Sequence, residues 1–365
     1  MAYNLAAMTV LVRSFAKINL GLRIGAARED GFHELLTVYQ TIGLHDAIQV
    51  SLERGTGIEI RCDDSRVPKD ESNTCYRIVE KAMEALLAKG RVVIDIEKRL
   101  PVQGGLGGAS ANAVAALLGL ERVLKKPLAA AERLRIAAEV GSDLPLFLVG
   151  GTVLGVGRGE QVYPLQDFPA MACVVVTPEV GVSTPKAFAA WDRRMSDEKQ
   201  GLKPSFLTAA DAALKRRSSI GSFTGAFAGR DQSGKLTVSS GSDTISELGR
   251  GLSAWLSERC SSAPSGFVRR GRAENPLLWL VRAGIENDFE RVVFPEYPEL
   301  SEGKSALLRA GAKYASLSGS GSTLYGLFGS RDAAARDAVR LRKQGWAAAA
   351  TSTLTRRAYW RRIIS

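Results

Sequence analysis

Apolar and polar positions alternate along two stretches near the amino terminus, which is the pattern of β-strands. The alternation runs over residues 9–24, with a bend near residues 14–19, and returns over residues 38–52. A period of two places every second side chain on one face of a sheet. The chain is therefore expected to begin with the strands of a sheet.

Helical spacing of apolar residues follows further along the chain. The helices predicted from it cover residues 73–87, 113–124, 131–140, 302–310 and 331–344. Ser72 or Asn73 can cap the first helix, because a short polar side chain accepts a hydrogen bond from the first turn. Another helix is expected to start at Thr184 and Pro185. Further strands are predicted over residues 92–96 and 172–177, on both sides of a Gly/Ser loop within residues 314–328, and over residues 347–354.

The length of 365 residues exceeds that of a single typical core, so two domains are expected. We place them at residues 1–165 and 166–365. Serine and glycine become abundant, and large apolar groups scarce, over residues 218–266. This shift predicts a flexible insertion around residues 196–272 rather than a third domain.

Composition indicates an ordinary soluble protein, with 45% apolar and 24% charged residues and no apolar stretch long enough to span a membrane. The first residues lack the features of a signal peptide, and Met1 or Met8 is the expected start. The cysteines are scattered without a C-x-x-C pair, which favours reduced thiols over a disulfide framework or a zinc site. They are Cys62, Cys75, Cys173 and Cys260. A cytoplasmic protein without a membrane partner is therefore expected.

The net charge of +11 is compatible with two kinds of partner. Nucleic acid is one, although the basic residues form short clusters without a recognised nucleic-acid motif. A small anionic substrate beside a second phosphate-bearing ligand is the other, because a basic cleft attracts both. The charge alone does not decide between them.

A glycine-rich loop within residues 100–112 separates the strand at residues 92–96 from an Ala-rich helix. Glycines allow a ligand to approach the backbone closely, and the first turn of a helix presents unpaired N–H groups, so the loop is expected to bind phosphate. Better-known glycine loops do not fit: Gly108 is not followed by the lysine of a Walker A loop, and Ser110 stands where a Rossmann loop has glycine. A nucleophile elbow would need glycine at Asn112. The structural alternative is a glycine-rich turn before a packed helix.

Two charged residues occupy apolar surroundings and are candidates for chemistry. Lys17 lies within the first strand, where a buried ammonium must be paired, unless it lies on an edge strand and faces solvent. Asp143 precedes an apolar segment and is either a proton acceptor or a turn or capping aspartate.

Phe32 beside His33 suits a nucleobase, although an isolated histidine is usually structural.

Three segments resemble the motifs of the GHMP kinases in order and spacing. They are Ala16-Lys-Ile-Asn-Leu20, the glycine loop and Leu317-Ser-Gly-Ser-Gly-Ser322, the last of which alone reads as a long hairpin turn. The resemblance implies an α+β fold of two domains, a ribosomal-S5-like N-terminal domain and a C-terminal α/β-plait domain. ATP and substrate would bind in the cleft between them.

Further motifs are similar to one branch of that family, which uses ATP and Mg²⁺ to phosphorylate the 2-hydroxyl of 4-diphosphocytidyl-2-C-methyl-D-erythritol in non-mevalonate isoprenoid precursor biosynthesis. They are Asp30-Gly-Phe-His-Glu-Leu35, Gly141-Ser-Asp-Leu-Pro-Leu-Phe147, Gly157-Arg-Gly-Glu160, Asn287-Asp-Phe-Glu290 and Tyr297-Pro-Glu-Leu300. This resemblance implies that Asp143 takes the hydroxyl proton, while Lys17 lowers the pKa of that hydroxyl and stabilises the carboxylate.

The resemblance also implies the binding residues. Asn73 and Lys98 would lie near the adenosine, and Ser110 could reach Mg²⁺ or a phosphate oxygen. The ATP phosphates would be wrapped by Pro101, Val102, Gln103, Gly104, Gly105, Leu106, Gly107, Gly108, Ala109, Ser110 and Ala111. His33 would read the cytosine edge, with Phe32 and Phe188 stacked on either side of its ring. Asn19 and Thr184 would line the rest of the substrate site.

The chain departs from the branch at several positions. Phe32 stands where tyrosine is usual, Ala109 and Ala111 where glycine and serine are frequent, and Phe15 where proline is frequent. Two alternatives stay open. One is a kinase of the homoserine or mevalonate type, although those substrates have no nucleobase to stack. The other is a non-catalytic nucleotide- or RNA-binding protein on the same fold. We expect a monomer or weak dimer that does not bind nucleic acid.

Overall fold

The computed structural model describes residues 8–102, 104–201 and 286–364, and only the backbone of residues 198–201. Met1, Gln103 and Cys260 lie outside the described residues, as does nearly all of the insertion predicted around residues 196–272. The expected domain boundary at residues 165 and 166 stays a prediction.

One sheet is built around a long strand, β2, which pairs on both of its edges. Its strands are β1 (Thr9–Ala27), β2 (His33–Glu53), β3 (Gly57–Cys62), β4 (Arg91–Glu97), β5 (Thr152–Val156) and β6 (Gln161–Pro164). β1 runs antiparallel to almost the whole of β2, and the other edge of β2 pairs with β4 near one end and with β5 near the other. β3 extends the sheet beside β4 in parallel, and β6 extends it beside β5.

Four helices are associated with this sheet: α1 (Thr74–Ala85), α2 (Gly108–Leu124), α3 (Ala130–Val140) and α4 (Leu144–Val149). α2 is apolar on nearly all sides and packs in the centre, against β1 and β2. Gly119 permits the close approach of α2 to the sheet, because a Cβ atom there would lie 2.6 Å from Val50 Cγ2. The close packing fixes α2 against the first two strands of the sheet.

A second sheet is antiparallel and has the order β10-β7-β9-β8. Its strands are β7 (Ala172–Val176), β8 (Tyr314–Leu317), β9 (Leu324–Phe328) and β10 (Ala348–Ser352). The described helices of this part are α5 (Thr184–Gly201), α6 (Glu290–Glu296), α7 (Pro298–Arg309), α8 (Arg331–Lys343) and α9 (Arg356–Ile363). Apolar side chains of both sheets, among them Ile18 and Val175, share one buried cluster. The two sheets are therefore joined through a common core.

The α+β class predicted from the sequence is confirmed. Asn73 is the N-cap of α1, as predicted, and its Oδ1 accepts a hydrogen bond from Cys75 N at 2.8 Å. Among the helices that the structure describes, none has the length and apolarity needed to cross a membrane.

Several predicted boundaries were wrong. α2 starts at Gly108 rather than residue 113, because small residues continue the helix into the glycine loop. α7 starts at Pro298 rather than residue 302, since proline suits the first turn of a helix. β2 starts at His33 rather than residue 38.

Candidate active site

Lys17 is buried at a break in the pairing of β1 with β2. The register shifts between Phe15 and Lys17, and again between Asn19 and Gly21. Such bulges redirect side chains. The Lys17 ammonium donates to Asn19 Oδ1 at 2.8 Å and lies 3.3 Å from Asp143 Oδ2. The lysine therefore does not face solvent on an edge strand; it is paired inside the protein.

Asp143 occupies the N-cap position of α4, but its carboxylate does not cap the helix. Oδ2 faces Lys17, and Oδ1 accepts a hydrogen bond from the Tyr39 hydroxyl at 3.0 Å. The Asp143 side chain is 33% exposed, whereas the Lys17 side chain is only 5% exposed. A carboxylate held beside a buried ammonium and still open on one side can accept a proton from a bound alcohol.

The glycine loop lines a cavity of about 370 Å³. The loop residues on its wall are Pro101, Val102, Gly104, Gly105, Leu106, Gly107, Gly108, Ala109 and Ser110. Gly107, at φ +69°, is the N-cap of α2, and the helix has neither a capping side chain nor an acidic residue in its first turn. The first-turn N–H groups are thus left for an anion.

Asn73 and Lys98 also line this cavity. Ala111 does not line it, because its side chain packs in the core and its N–H is bonded to Gly107 O at 2.8 Å. Gln103 lies outside the described residues.

The Gly/Ser loop between β8 and β9 supports the glycine loop from the other sheet. Ser318 Oγ donates to Gly105 O at 2.9 Å, and Thr323 N donates to Gly104 O at 3.1 Å. A Cβ atom on Gly105 would lie 2.2 Å from Ser318 O, so only glycine allows this contact. The segment is more than a hairpin turn, because it fixes the position of the glycine loop.

Asp46 lies behind the cavity wall and is a central residue that sequence reasoning missed. Its carboxylate is fully buried and accepts four hydrogen bonds. The donors are Arg99 N and Leu100 N, each at 2.7 Å, Lys98 Nζ at 2.6 Å and Asn112 Nδ2 at 3.0 Å. Asp46 therefore ties the entry to the glycine loop to α2. One signal in the sequence could have found it, because Asp46 directly precedes apolar positions of β2. An acid in such surroundings is expected to be buried, and a buried charge needs partners.

The residues predicted for the substrate lie near the start of β2 and the start of α5. The Phe188 and His33 rings are stacked, with centroids 4.8 Å apart and planes 13° apart. His33 Nε2 is 2.7 Å from Asp192 Oδ1. The Phe32 ring is half exposed and faces the Arg158 guanidinium at 4.9 Å. Phe188 thus contacts His33 directly, while Phe32 presents its ring to a cation.

Asn19 and Thr184, the other predicted substrate residues, are placed by polar contacts. Asn19 Nδ2 donates to Thr37 Oγ1 at 2.7 Å, so its amide oxygen is oriented toward Lys17. Thr184, the first residue of α5, has its hydroxyl 2.8 Å from Ser320 Oγ. Asn19 therefore belongs to the Lys17 cluster, and Thr184 to the loop between β8 and β9.

Among the residues that the structure describes, no group of three or more histidine, cysteine or acidic side chains is arranged to hold a metal ion. Ser110 lies on the wall of the glycine-loop cavity. The donor set suits a magnesium ion bound mainly by nucleotide phosphates and water, which is the usual mode for this ion.

The chain is similar to known kinases over most of its length. The GHMP kinases N terminal domain matches residues 73–151, and the GHMP kinases C terminal domain matches residues 276–346. The 4-diphosphocytidyl-2-C-methyl-D-erythritol kinase of Solibacter usitatus is 34% identical over 97% of this chain and 92% of its own length. The kinase of the same name from Synechococcus sp. is 33% identical over 93% and 90%.

Solved structures of similar fold include two kinds of kinase. A crystal structure of 4-(cytidine 5'-diphospho)-2C-methyl-D-erythritol kinase has a TM-score of 0.62 and 26% identity, and covers 94% of this chain and 98% of its own. Homoserine kinase from Cytophaga hutchinsonii has a TM-score of 0.62 but 19% identity, with 97% of each chain covered. The second likeness shows the fold alone.

Proposed function

The chain belongs to the 4-diphosphocytidyl-2-C-methyl-D-erythritol kinases within the GHMP kinase family, and we propose on this premise that it transfers the γ-phosphoryl group of ATP to the 2-hydroxyl of that cytidyl alcohol. The observation that carries the proposal is the Lys17–Asp143 pair and its position next to the glycine loop. Lys17 N donates a hydrogen bond to Leu106 O of that loop at 3.0 Å. The acid and ammonium are thereby held beside the loop that would bind the nucleotide phosphates.

Asp143 would take the proton of the substrate hydroxyl as the oxygen attacks the γ-phosphorus. The bond between the γ-phosphorus and the β–γ bridging oxygen breaks, and ADP leaves. Lys17, 3.3 Å from Asp143, stabilises both the carboxylate and the charge that develops on the attacking oxygen. Phosphoryl transfer requires mainly alignment and neutralisation of charge, which this pair provides.

The ATP phosphates would lie against the uncapped start of α2 and the backbone of the glycine loop. Asn73 and Lys98, on the same cavity wall, would contact the adenosine side of the nucleotide. Ser110 would add a hydroxyl ligand to Mg²⁺. When bound, this ion neutralises charge on the β- and γ-phosphates.

The cytidyl end of the substrate would bind at the aromatic residues near α5. His33 would hydrogen-bond the cytosine edge, and Phe32 and Phe188 would stack on its ring. Phe32 keeps a half-exposed ring available for this contact. Asn19 and Thr184 would line the path between the cytosine and the Lys17–Asp143 pair, since both are tied to residues around it.

We place the reaction in non-mevalonate isoprenoid precursor biosynthesis in the cytoplasm, carried out by a monomer or weak dimer without a nucleic-acid partner. The test is ADP release with four acceptors: 4-diphosphocytidyl-2-C-methyl-D-erythritol, mevalonate, homoserine and galactose. We expect the cytidyl alcohol to give the highest kcat/KM. A preference for mevalonate or homoserine would overturn the substrate, and no ADP release with any acceptor would favour the non-catalytic alternative.

A further inference from the structure

Tyr39, in the middle of β2, contacts both members of the acid–lysine pair. Its hydroxyl donates to Asp143 Oδ1 at 3.0 Å, and Lys17 Nζ lies 5.5 Å from the centroid of its ring. The side chain is almost completely buried. Tyr39 therefore contacts the proposed base on the oxygen that does not face Lys17.

The surroundings of Tyr39 leave its hydroxyl little freedom to move. A Cβ atom on Gly159 would lie 2.5 Å from Tyr39 Oη, and a Cβ atom on Gly155 would lie 2.5 Å from Tyr39 Cε2. Any side chain at these two positions would displace the ring. The backbone of β5 and of the turn after it therefore closes directly over Tyr39 and directs its hydroxyl at Asp143.

The phenol acts as a hydrogen-bond donor. Burial, together with the adjacent Asp143 charge and Glu160, raises the pKa of Tyr39 well above its usual value. The hydroxyl thus keeps its proton at any pH at which the protein would work. It cannot compete with Asp143 as a base, and its proton remains available to Oδ1.

We propose that Tyr39 is a positioning residue that anchors Asp143 through Oδ1, and that Oδ2, the oxygen facing Lys17, is the one that receives the substrate proton. This inference rests on the proposed function for the identity of the base. The two carboxylate oxygens have different partners, Tyr39 on one and Lys17 on the other. The substrate hydroxyl has to lie close to both the Asp143 carboxylate and the Lys17 ammonium, and it can do so at Oδ2. Fixing Oδ1 sets the rotation of the carboxylate and keeps Oδ2 aimed at that point.

The test compares Tyr39→Phe with Tyr359→Phe. Tyr359 is the matched control, because it is equally buried and its hydroxyl also makes one hydrogen bond, to Phe147 O at 2.7 Å. We expect Tyr39→Phe to lower kcat about tenfold with both KM values within about twofold of wild type. Both substitutions should lower the Tm to a similar extent, but Tyr359→Phe should leave kcat within about twofold of wild type. An unchanged kcat in Tyr39→Phe, or an equal loss in both variants, would overturn the proposal.

A second comparison shows whether Tyr39 acts through Asp143. In an Asp143→Asn background, the Tyr39→Phe substitution should have no further effect on kcat, because the group it positions is already gone. A further tenfold loss there would contradict the proposal. The acceptor is whichever of the four alcohols gives the wild-type protein its highest rate, so an incorrect substrate assignment does not affect the result.

Discussion

The Lys17 ammonium lies 3.3 Å from the Asp143 carboxylate, although one residue belongs to a bulged strand and the other to the start of a short helix. Lys17 is also hydrogen-bonded to Asn19, and Asp143 to Tyr39. Each charged group thus has a second polar partner that fixes its direction. The pair is held in place before any substrate arrives, as electrostatic catalysis requires.

Replacing the proposed base should abolish most turnover without affecting nucleotide binding. Asp143→Asn keeps the size of the side chain but cannot accept the hydroxyl proton, so we expect kcat to fall by about 100-fold or more. The Kd for ATP, measured by titration in the absence of alcohol, should stay within about threefold of wild type. Glu139→Gln is a suitable control, because Glu139 forms its ion pairs with Lys81 and Arg135 on the surface. Near wild-type turnover in Asp143→Asn would show that another group takes the proton.

Removing one aromatic face should weaken binding of the cytidyl alcohol selectively. Phe188 stacks on His33 and meets the Phe289 ring edge-on at 5.0 Å, so its position is fixed. We expect Phe188→Ala to raise the KM for the cytidyl alcohol about five- to 150-fold, the equivalent of roughly 1–3 kcal/mol of base stacking. The KM for ATP is the internal control and should change by less than about twofold. Equal increases in both values would contradict the stacking assignment.

Most of the strand framework and the acid–lysine pair could be predicted, because both leave local signals in the sequence. Alternation predicts β1 and β2, and the motifs around Lys17 and Asp143 follow the order of a known family. α9 was not predicted, since it is strongly basic and buries only Tyr359 and Ile363, too few apolar positions to show a period.

The partners of the site residues could not be predicted, since they depend on contacts between distant segments. Tyr39 looks in the sequence like one more aromatic residue of an alternating strand. Its role depends on the approach of Gly159, which lies far along the chain. The role of Asp46 likewise depends on distant segments, because the folding of β4 and α2 brings Lys98 and Asn112 into contact with it.

The thiol next to the glycine-loop cavity should be unreactive in the native protein. Burial raises the pKa of Cys75 to about 12, and it does the same for Cys173. The thiolate is the nucleophile, so iodoacetamide at pH 8 should label neither residue in native protein and both in denaturant. Peptide mass spectrometry measures this directly.

The same shift fixes the sign of a pH effect on stability. Because folding raises these pKa values above the ordinary value of 9.0, the folded state favours the protonated thiols. The contribution of the two thiols to the free energy of unfolding is complete below about pH 9, and it is lost as the pH rises toward 12. Rapid native labelling of Cys75 would show that the thiol is accessible and contradict both expectations.

Loss of Asp46 should affect both folding and nucleotide binding. Asp46→Ala leaves the largely buried Lys98 ammonium without its acid and two backbone N–H groups without an acceptor, and breaking a buried pair costs about 3–5 kcal/mol. We expect that loss in urea unfolding, and a rise of about tenfold in the KM for ATP, because Lys98 and the entry to the glycine loop lose their anchor. Asp46→Asn, which keeps part of the hydrogen bonding, should give a smaller change of the same kind.

The matched control is Glu121→Ala. Glu121 is also buried and is paired with Arg133, but it lies at the far end of α2. It should lower stability without changing the KM for ATP, and a KM that is unchanged in both variants would mean that Asp46 supports the fold alone.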